Sequence, residues 1–201
     1  MYEKLTLIAS FSYFYMIYIN NVLLKYILKP ATTCLIIGVS VESDKKNTFK
    51  QIGLFFSLLG DICLMFEGED MFLLGLASFL CAHLSYIYFF YHTRRTQSHY
   101  GLKIALLFIG SLYYSALYTR IFEQGGYPML FAVFIYIITI VFMVYFAFLS
   151  NDAQLTLGAT LFFISDATLG YDKFIEKSTR NIFEYIVMIT YYSAQFLIAK
   201  S

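Results

Sequence analysis

Eight stretches of mostly apolar residues follow one another along the chain, separated by short polar breaks. Hydrophobic residues make up 60% of the 201 residues and charged residues only 13%, which is outside the range of soluble domains. A helix that crosses a bilayer needs about 20 apolar residues, with roughly 17 to 25 usual. The sequence therefore predicts an all-α integral membrane protein, a single transmembrane domain over residues 1–201 built as a bundle of about eight helices.

The predicted spans lie between the polar breaks. They cover about residues 3–19, 30–42, 51–66, 71–91, 102–119, 127–149, 154–171 and 181–199. The connections are short, the longest running from His92 to Gly101, which favours one compact bundle. Pro30 suits the first turn of the second span, because proline lacks an amide hydrogen that would have no partner there.

Basic residues in the connections predict the orientation of the bundle. With eight spans both termini share one side, which holds Lys4, Lys45, Lys46, Lys50, Arg94, Arg95, Lys103 and Lys200. The opposite side holds the smaller set Lys25, Lys29, Arg120, Lys173, Lys177 and Arg180. By the positive-inside rule we expect both termini in the cytoplasm. The sequence leaves open whether the membrane is a bacterial inner membrane or the endoplasmic reticulum, and it leaves the oligomeric state unknown.

Two aspartates lie inside predicted spans. Asp61 follows Gly53 by eight residues and precedes Glu67 by six, and Asp166 stands in the same relation to Gly158 and an acid at the end of its span. A charged group at membrane depth costs several kcal/mol and usually faces a cavity or a partner. The two aspartates are therefore the leading functional candidates, with protonated structural aspartates as the competing interpretation.

The two aspartate spans are the third and the seventh, so they run in the same direction. This spacing favours a parallel 4+4 repeat. The six-residue offset to the terminal acid corresponds to about 9 Å of helical rise. We therefore expect the two carboxyl groups at matching depth in the membrane.

Other polar side chains at depth are candidate companions of the aspartates. His83 lies in the fourth span, and Tyr191, Tyr192 and Gln195 share one helical face in the last span. In an apolar bundle these groups need hydrogen-bond partners, and the aspartates are plausible ones. Lys29 can extend to the non-cytoplasmic interface and meet a lipid phosphate, although a simple anchoring role explains its position as well.

Composition also excludes several classes of function. The formal net charge is +1 and no basic run exceeds two residues, so a nucleic-acid partner is not expected. Cys34, Cys63 and Cys81 lie in apolar runs without metal-ligand spacing. Two aspartates and a distant histidine make a poor zinc set, so we expect neither a metal nor a cofactor.

An ordered set of residues carries a family resemblance. The set is Lys29-Pro30, Phe56-Ser57, Gly60-Asp61, His83, Gly158-Ala159, Phe162, Ser165-Asp166, Tyr191-Tyr192 and Ala194-Gln195. With it the chain resembles the YhhN/lysoplasmalogenase family of eight-span membrane proteins. The resemblance implies hydrolysis of the vinyl ether bond of lysoplasmalogens, giving a fatty aldehyde and glycerophosphoethanolamine or glycerophosphocholine. The expected partners are this lysophospholipid substrate and the surrounding membrane lipids.

The candidate site follows from the aspartates together with that reaction. Protonation of the alkene carbon needs an acid, and the resulting oxocarbenium ion needs a nearby negative charge. Two close carboxyl groups can hold one proton between them at neutral pH, as the carboxyl pairs of glycosidases do. We therefore expect Asp61 and Asp166 to be catalytic, without assigning which is the acid. The supporting or substrate-binding candidates are His83, Tyr191, Tyr192, Gln195, Lys29, Ser57 and Ser165.

Two other functions compete with this one. A proton- or cation-coupled transporter, or a lipid-binding membrane protein, can use the same two aspartates. An intramembrane aspartyl protease also uses two aspartates, but the only prolines are Pro30 and Pro128. The Pro-Ala-Leu motif of such proteases is therefore absent.

Overall fold

The computed structural model describes residues 1–43, 47–176 and 181–201, and within these ranges the chain is helical with no β-strand. The all-α prediction is confirmed. The helices are α1 (Tyr2–Tyr18), α2 (Val22–Ser43), α3 (Thr48–Cys63), α4 (Glu69–Thr93), α5 (Tyr100–Leu149), α6 (Ala153–Tyr171) and α7 (Asn181–Lys200), with a short π-helical turn at Asp172–Glu176 between α6 and α7.

The 50-residue helix α5 consists of two segments joined at a kink. Gly126 has φ 59° and ψ −152°, which is not helical and is a conformation that glycine adopts readily. The two segments pack against each other, because the Tyr114 hydroxyl donates to the Leu130 carbonyl at 3.2 Å and its ring lies 5.4 Å from that of Phe134. A straight helix of this length would measure about 75 Å, more than twice a bilayer core. The kink therefore folds α5 into a hairpin of two membrane-length segments.

Within the described ranges, four helices are long and apolar enough to cross a membrane by length and composition. They are Val22–Ser43, Glu69–Thr93, Tyr100–Leu149 and Ile182–Lys200. Counting α5 as two segments, the described chain has a helical segment at each of the eight predicted positions. Eight membrane crossings and a parallel repeat nevertheless remain predictions, since the shorter helices do not meet the same criteria.

The second helix begins earlier than the sequence pattern indicates. α2 starts at Val22 and contains Pro30 in its interior, not in its first turn. The Asn21 side chain accepts a hydrogen bond from the Leu24 amide at 3.1 Å, which starts the helix in the manner of an N-cap. Lys29, which precedes this proline, therefore lies inside α2, and its side chain can reach α3.

Two groups of helices surround the polar interior of the bundle. α2, α3 and α7 contact one another on one side, and α5 contacts both α4 and α6 on the other, while α3 packs on α4 and α6 on α7 between the two sides. α3 and α4 approach closely at Gly60, where an added Cβ would lie 2.5 Å from the Phe79 ring. This contact and the packing of α6 on α7 join the two groups.

The outward surface of the helices is apolar, as expected for contact with lipid. Exposed side chains include Phe11, Leu23, Phe108 and Phe131, each at least two-thirds accessible. This apolar surface and the helices of membrane-spanning length show that the chain is a membrane protein. Lys45, Lys46, Lys177 and Arg180, which entered the orientation count, lie outside the described residues, so the orientation remains a prediction.

Candidate active site

Asp166 lies at the centre of a polar cluster formed by three helices. The Tyr136 hydroxyl on α5 donates to Asp166 Oδ2 at 2.5 Å, and His83 Nε2 on α4 lies 3.1 Å from the same oxygen. His83 Nε2 is also 2.9 Å from the Tyr136 hydroxyl. Both neighbours therefore converge on Oδ2, and Oδ1 has no hydrogen-bond partner among the described residues.

The free side of Asp166 faces an apolar cavity. The cavity volume is about 50 Å³, which is room for only a few water molecules. Asp166 and Tyr136 line it, and Phe72, Leu117, Val133 and other apolar residues form most of its walls. This volume is well below the roughly 300–1,000 Å³ of most small-molecule sites, but the mostly apolar lining with a few polar groups is typical of them.

His83 is completely buried, with 0% of its surface exposed. Its ring packs edge-on against Phe162 at 4.7 Å and Tyr136 at 5.1 Å. Nδ1 has no hydrogen-bond partner, so the ring's polar contacts all pass through Nε2. A proton on Nε2 allows His83 to donate to Asp166, which leaves Nδ1 as an unprotonated acceptor in an apolar wall.

Asp61 occupies a different cluster, on the other side of the bundle. Its side chain is buried, and Oδ2 accepts hydrogen bonds from Thr33 Oγ1 at 2.6 Å and from the Tyr191 hydroxyl at 2.8 Å. Lys29 Nζ lies 3.7 Å from Oδ1. The charge of this carboxylate is thus matched by a lysine, and both of its oxygens have partners.

Aromatic rings lie between the two clusters. Tyr191 packs against Phe79 and Phe162 with centroids 5.9 Å and 5.5 Å away, and Phe162 in turn contacts His83. No hydrogen bond joins the two aspartates among the residues that the structure describes, and Asp61 is not among those lining the cavity. The expected sharing of one proton between the two carboxyl groups therefore does not fit this arrangement, in which each carboxyl group has its own donors.

The remaining predicted residues divide between these clusters and the helix packing. Tyr191 joins Asp61, and the Tyr192 hydroxyl lies 3.5 Å from the Lys29 carbonyl. Gln195 accepts from the Tyr86 hydroxyl at 2.7 Å, while its Nε2 is buried without a partner. Gln195 therefore shares the face of the tyrosines but does not reach an aspartate.

The two predicted serines support the helices. Ser57 donates to the Gly53 carbonyl of its own helix at 3.0 Å, and Ser165 donates to the Val187 carbonyl of α7 at 3.1 Å. Among the described residues no group of three or more His, Cys, Asp or Glu side chains is arranged to hold a metal ion.

Sequence reasoning missed Tyr136 and Thr33, the closest neighbours of the two aspartates. Tyr136 is one of 19 tyrosines, and nothing in its local sequence distinguishes it from the others. Thr33 follows Lys29 by four residues and so shares its helical face. A search for hydroxyl groups at mid-span would have found both residues.

Comparison with known proteins identifies a protein family that the sequence matches. The sequence profile of the YhhN family matches residues 24–201. The chain is 30% identical over 162 residues to the lysoplasmalogenase TMEM86A of Bos taurus, an alignment that covers 75% of this chain and 63% of the relative. It is 31% identical over 151 residues to the lysoplasmalogenase TMEM86B of Sus scrofa, covering 75% and 62%. The chain thus spans less than two thirds of the length of these relatives, and no solved structure matches it significantly.

Proposed function

The chain belongs to the YhhN family, and on this basis we propose that it is a membrane hydrolase that cleaves the vinyl ether bond of lysoplasmalogens. The products are a fatty aldehyde and glycerophosphoethanolamine or glycerophosphocholine. The observation that carries the proposal is the position of Asp166 in the lining of an otherwise mostly apolar cavity. A lysolipid needs apolar surface for its chain and one acid near its alkene, and the residues lining this cavity supply both. Because the cavity volume is only about 50 Å³, its walls must separate to admit the chain.

Asp166 is the acid of the proposed reaction. In its protonated form, the carboxyl group transfers the proton from Oδ1 to the alkene carbon that becomes C2 of the aldehyde. The alkene π electrons form the new C–H bond, and positive charge develops on the adjacent carbon and the ether oxygen. Tyr136 and His83 donate to Oδ2 and so stabilise the carboxylate that remains. That carboxylate in turn stabilises the oxocarbenium ion beside it.

Water completes the reaction with Asp166 now acting as a base. A water molecule attacks the oxocarbenium carbon, its proton passes to the Asp166 carboxylate, and a hemiacetal forms. The hemiacetal hydroxyl then loses its proton as the C–O bond to glycerol breaks, and the glycerol oxygen receives a proton. One water is consumed, and Asp166 is protonated again for the next turnover.

Asp61 has a supporting role in this scheme. Its charge is matched by Lys29, and its two hydroxyl donors come from α2 and α7. The cluster therefore ties three helices together at the height of Tyr191, whose ring contacts Phe79 and Phe162. Because Phe79 lines the cavity, we propose that Asp61 positions the cavity wall and does not touch the substrate.

The topology of the proposed enzyme follows from the eight helical segments. We propose that each segment crosses the membrane, so that both termini are cytoplasmic and the cavity opens toward the opposite face. Reporter fusions at the two termini test this arrangement. Both fusions should report the cytoplasm, and opposite locations would exclude an even number of crossings.

The decisive test of the reaction is product formation in heavy water. Detergent-purified protein is supplied with a 1-alkenyl lysophospholipid in D₂O, and the aldehyde is analysed by mass spectrometry. We expect an aldehyde with one deuterium at C2, because the proton added to the alkene exchanges with solvent through Asp166. The 1-alkyl analogue, which lacks the alkene, should give no aldehyde. Absence of aldehyde from the alkenyl substrate would overturn the proposed function.

The cavity favours a hydrolase over the transporter that uses the same aspartates. Its walls are apolar apart from the groups around Asp166, so they offer a cation no continuous series of ligands. Vesicles containing the protein test the alternative directly. Proton-coupled flux without aldehyde release would favour transport.

A further inference from the structure

Lys173 lies over Phe72, a residue that lines the cavity, and we propose that Lys173 binds the phosphate of the lysophospholipid substrate. This inference rests on the proposed function, since it places the head group relative to the bond that is cleaved. In the sequence analysis, Lys173 entered only as one of the basic residues that predict the orientation of the bundle in the membrane.

Lys173 is held above the cavity wall by the π-helical turn that follows α6. Its Nζ lies 4.9 Å from the centre of the Phe72 ring. Phe72 and Phe174 both line the cavity and contact each other edge-to-face at 5.7 Å. Gln124 Nε2 donates to the Phe174 carbonyl at 3.4 Å, which ties the turn to α5. The ammonium group therefore lies over a ring that lines the cavity, on a turn that is tied to α5.

Among the described residues, Lys173 differs from the other cations at this end of the bundle. Lys25 pairs with Glu184 at 2.9 Å, Lys29 with Asp61 at 3.7 Å, and Arg120 with Glu123 at 3.3 Å. Lys173 has no carboxylate within ion-pair distance in the described ranges. Its ring contact leaves the ammonium hydrogens available, and an ammonium group at a membrane interface is a common phosphate ligand.

The spacing between Lys173 and Asp166 fits the substrate. Seven residues separate them, which corresponds to about 10 Å along a helix. In a lysoplasmalogen seven bonds join the alkene carbon that is protonated to the phosphorus, roughly 9 Å in an extended chain of ordinary bond lengths. A substrate with its phosphate on Lys173 can therefore place its alkene at Asp166.

The alkyl chain has an apolar exit in this orientation. Ile137 lines the cavity near Tyr136 and also lines a groove between the two segments of α5. Phe134, Val141 and Leu107 form other walls of that groove. A chain that passes Ile137 can thus continue along the lipid-facing side of the hairpin while the head group stays at the rim.

The test compares two substrates that differ only in the phosphate. Lys173→Gln and the control Arg120→Gln, which alters an exposed ion pair at the same end, are assayed with a 1-alkenyl lysophosphatidylethanolamine and with the corresponding 1-alkenylglycerol. We expect Lys173→Gln to raise KM for the phospholipid at least tenfold with kcat nearly unchanged, and to leave the alkenylglycerol unaffected. Lys173→Arg should restore most of the affinity, and Arg120→Gln should resemble wild type. An equal change for both substrates, or no change for either, would overturn the inference.

A binding experiment separates this inference from the proposed reaction. The 1-alkyl lysophospholipid, which is not cleaved, is titrated against wild type and Lys173→Gln, with 1-alkylglycerol as the control ligand. Weaker binding of the phospholipid alone would support Lys173 as its ligand even if no aldehyde were ever released. Unchanged phospholipid binding in a protein that does release aldehyde would exclude Lys173 and leave the hydrolase intact.

Discussion

The clusters around Asp61 and Asp166 occupy equivalent positions in the sequence and have opposite surroundings. Asp61 is buried beside a lysine, and both of its oxygens have partners. Asp166 receives its two neighbours on one oxygen, has no cation of fixed charge beside it among the described residues, and faces a cavity. The comparison teaches that depth in the membrane does not decide the role of a carboxyl group. Its role depends instead on the side chains that the neighbouring helices place around it.

The largest expected effect is on turnover at Asp166. Asp166→Asn removes the acid, and general acid catalysis contributes about 10²- to 10⁴-fold. We therefore expect kcat for aldehyde release to fall by about that factor while the fold is retained. Thr168→Val is the control, since Thr168 lies on the same helix and donates only to the Ile164 carbonyl. Full activity of Asp166→Asn would show that another group supplies the proton.

The next effect is on stability at Asp61. Asp61→Asn leaves the partly buried Lys29 as an uncompensated cation, and breaking a buried pair costs about 3 to 5 kcal/mol. We expect the free energy of unfolding in detergent to fall by that order. The double variant Asp61→Asn/Lys29→Met removes both charges and should regain most of the loss. If the double variant is no more stable than the single one, the ion pair does not explain the stability of this cluster.

A third change acts on the neighbour of Asp166. Tyr136→Phe removes the hydroxyl that donates to Oδ2, and loss of one such donor costs about a hundredfold in kcat. Tyr113→Phe is the matched control, because Tyr113 lines the same cavity but donates to the Ala167 carbonyl. Equal kinetics for the two variants would indicate that the Tyr136 hydroxyl does not act on Asp166.

The smallest effect distinguishes donors within the Asp61 cluster. Thr33→Val removes one hydroxyl donor to Asp61, and interhelical hydrogen bonds in membranes contribute about 1 kcal/mol. Thr32→Val alters a neighbouring, equally buried threonine whose hydroxyl donates to the Leu28 carbonyl of its own helix. Thermal unfolding in detergent should show the larger destabilisation for Thr33→Val. A larger loss for Thr32→Val would contradict the assigned network.

The sequence predicted the helical class, because the long apolar runs allow few alternatives in a membrane. It also identified both aspartates, since the cost of a charge at depth makes such residues exceptional. The family resemblance was confirmed by the profile match over residues 24–201. These successes depend on properties that act along a single helix.

The lateral arrangement of the site could not be predicted in the same way. Residue numbers give the depth of Asp61 and Asp166, but the distance between their carboxyl groups depends on how α3, α4 and α6 pack. Tyr136 became a partner of Asp166 only because the kink at Gly126 folds α5 back on itself. Lys29 reaches Asp61 because α2 begins at Val22 and continues through Pro30. The sequence pattern instead predicted Pro30 in the first turn of this helix.

The most direct test measures thermal stability and aldehyde release on the same preparations of Asp61→Asn and Asp166→Asn. We predict that Asp166→Asn keeps the wild-type Tm and loses turnover. Asp61→Asn should have a lower Tm, while its folded fraction still releases aldehyde. An Asp61→Asn protein with wild-type Tm and no turnover would contradict the account, since it would place both carboxyl groups in the chemistry.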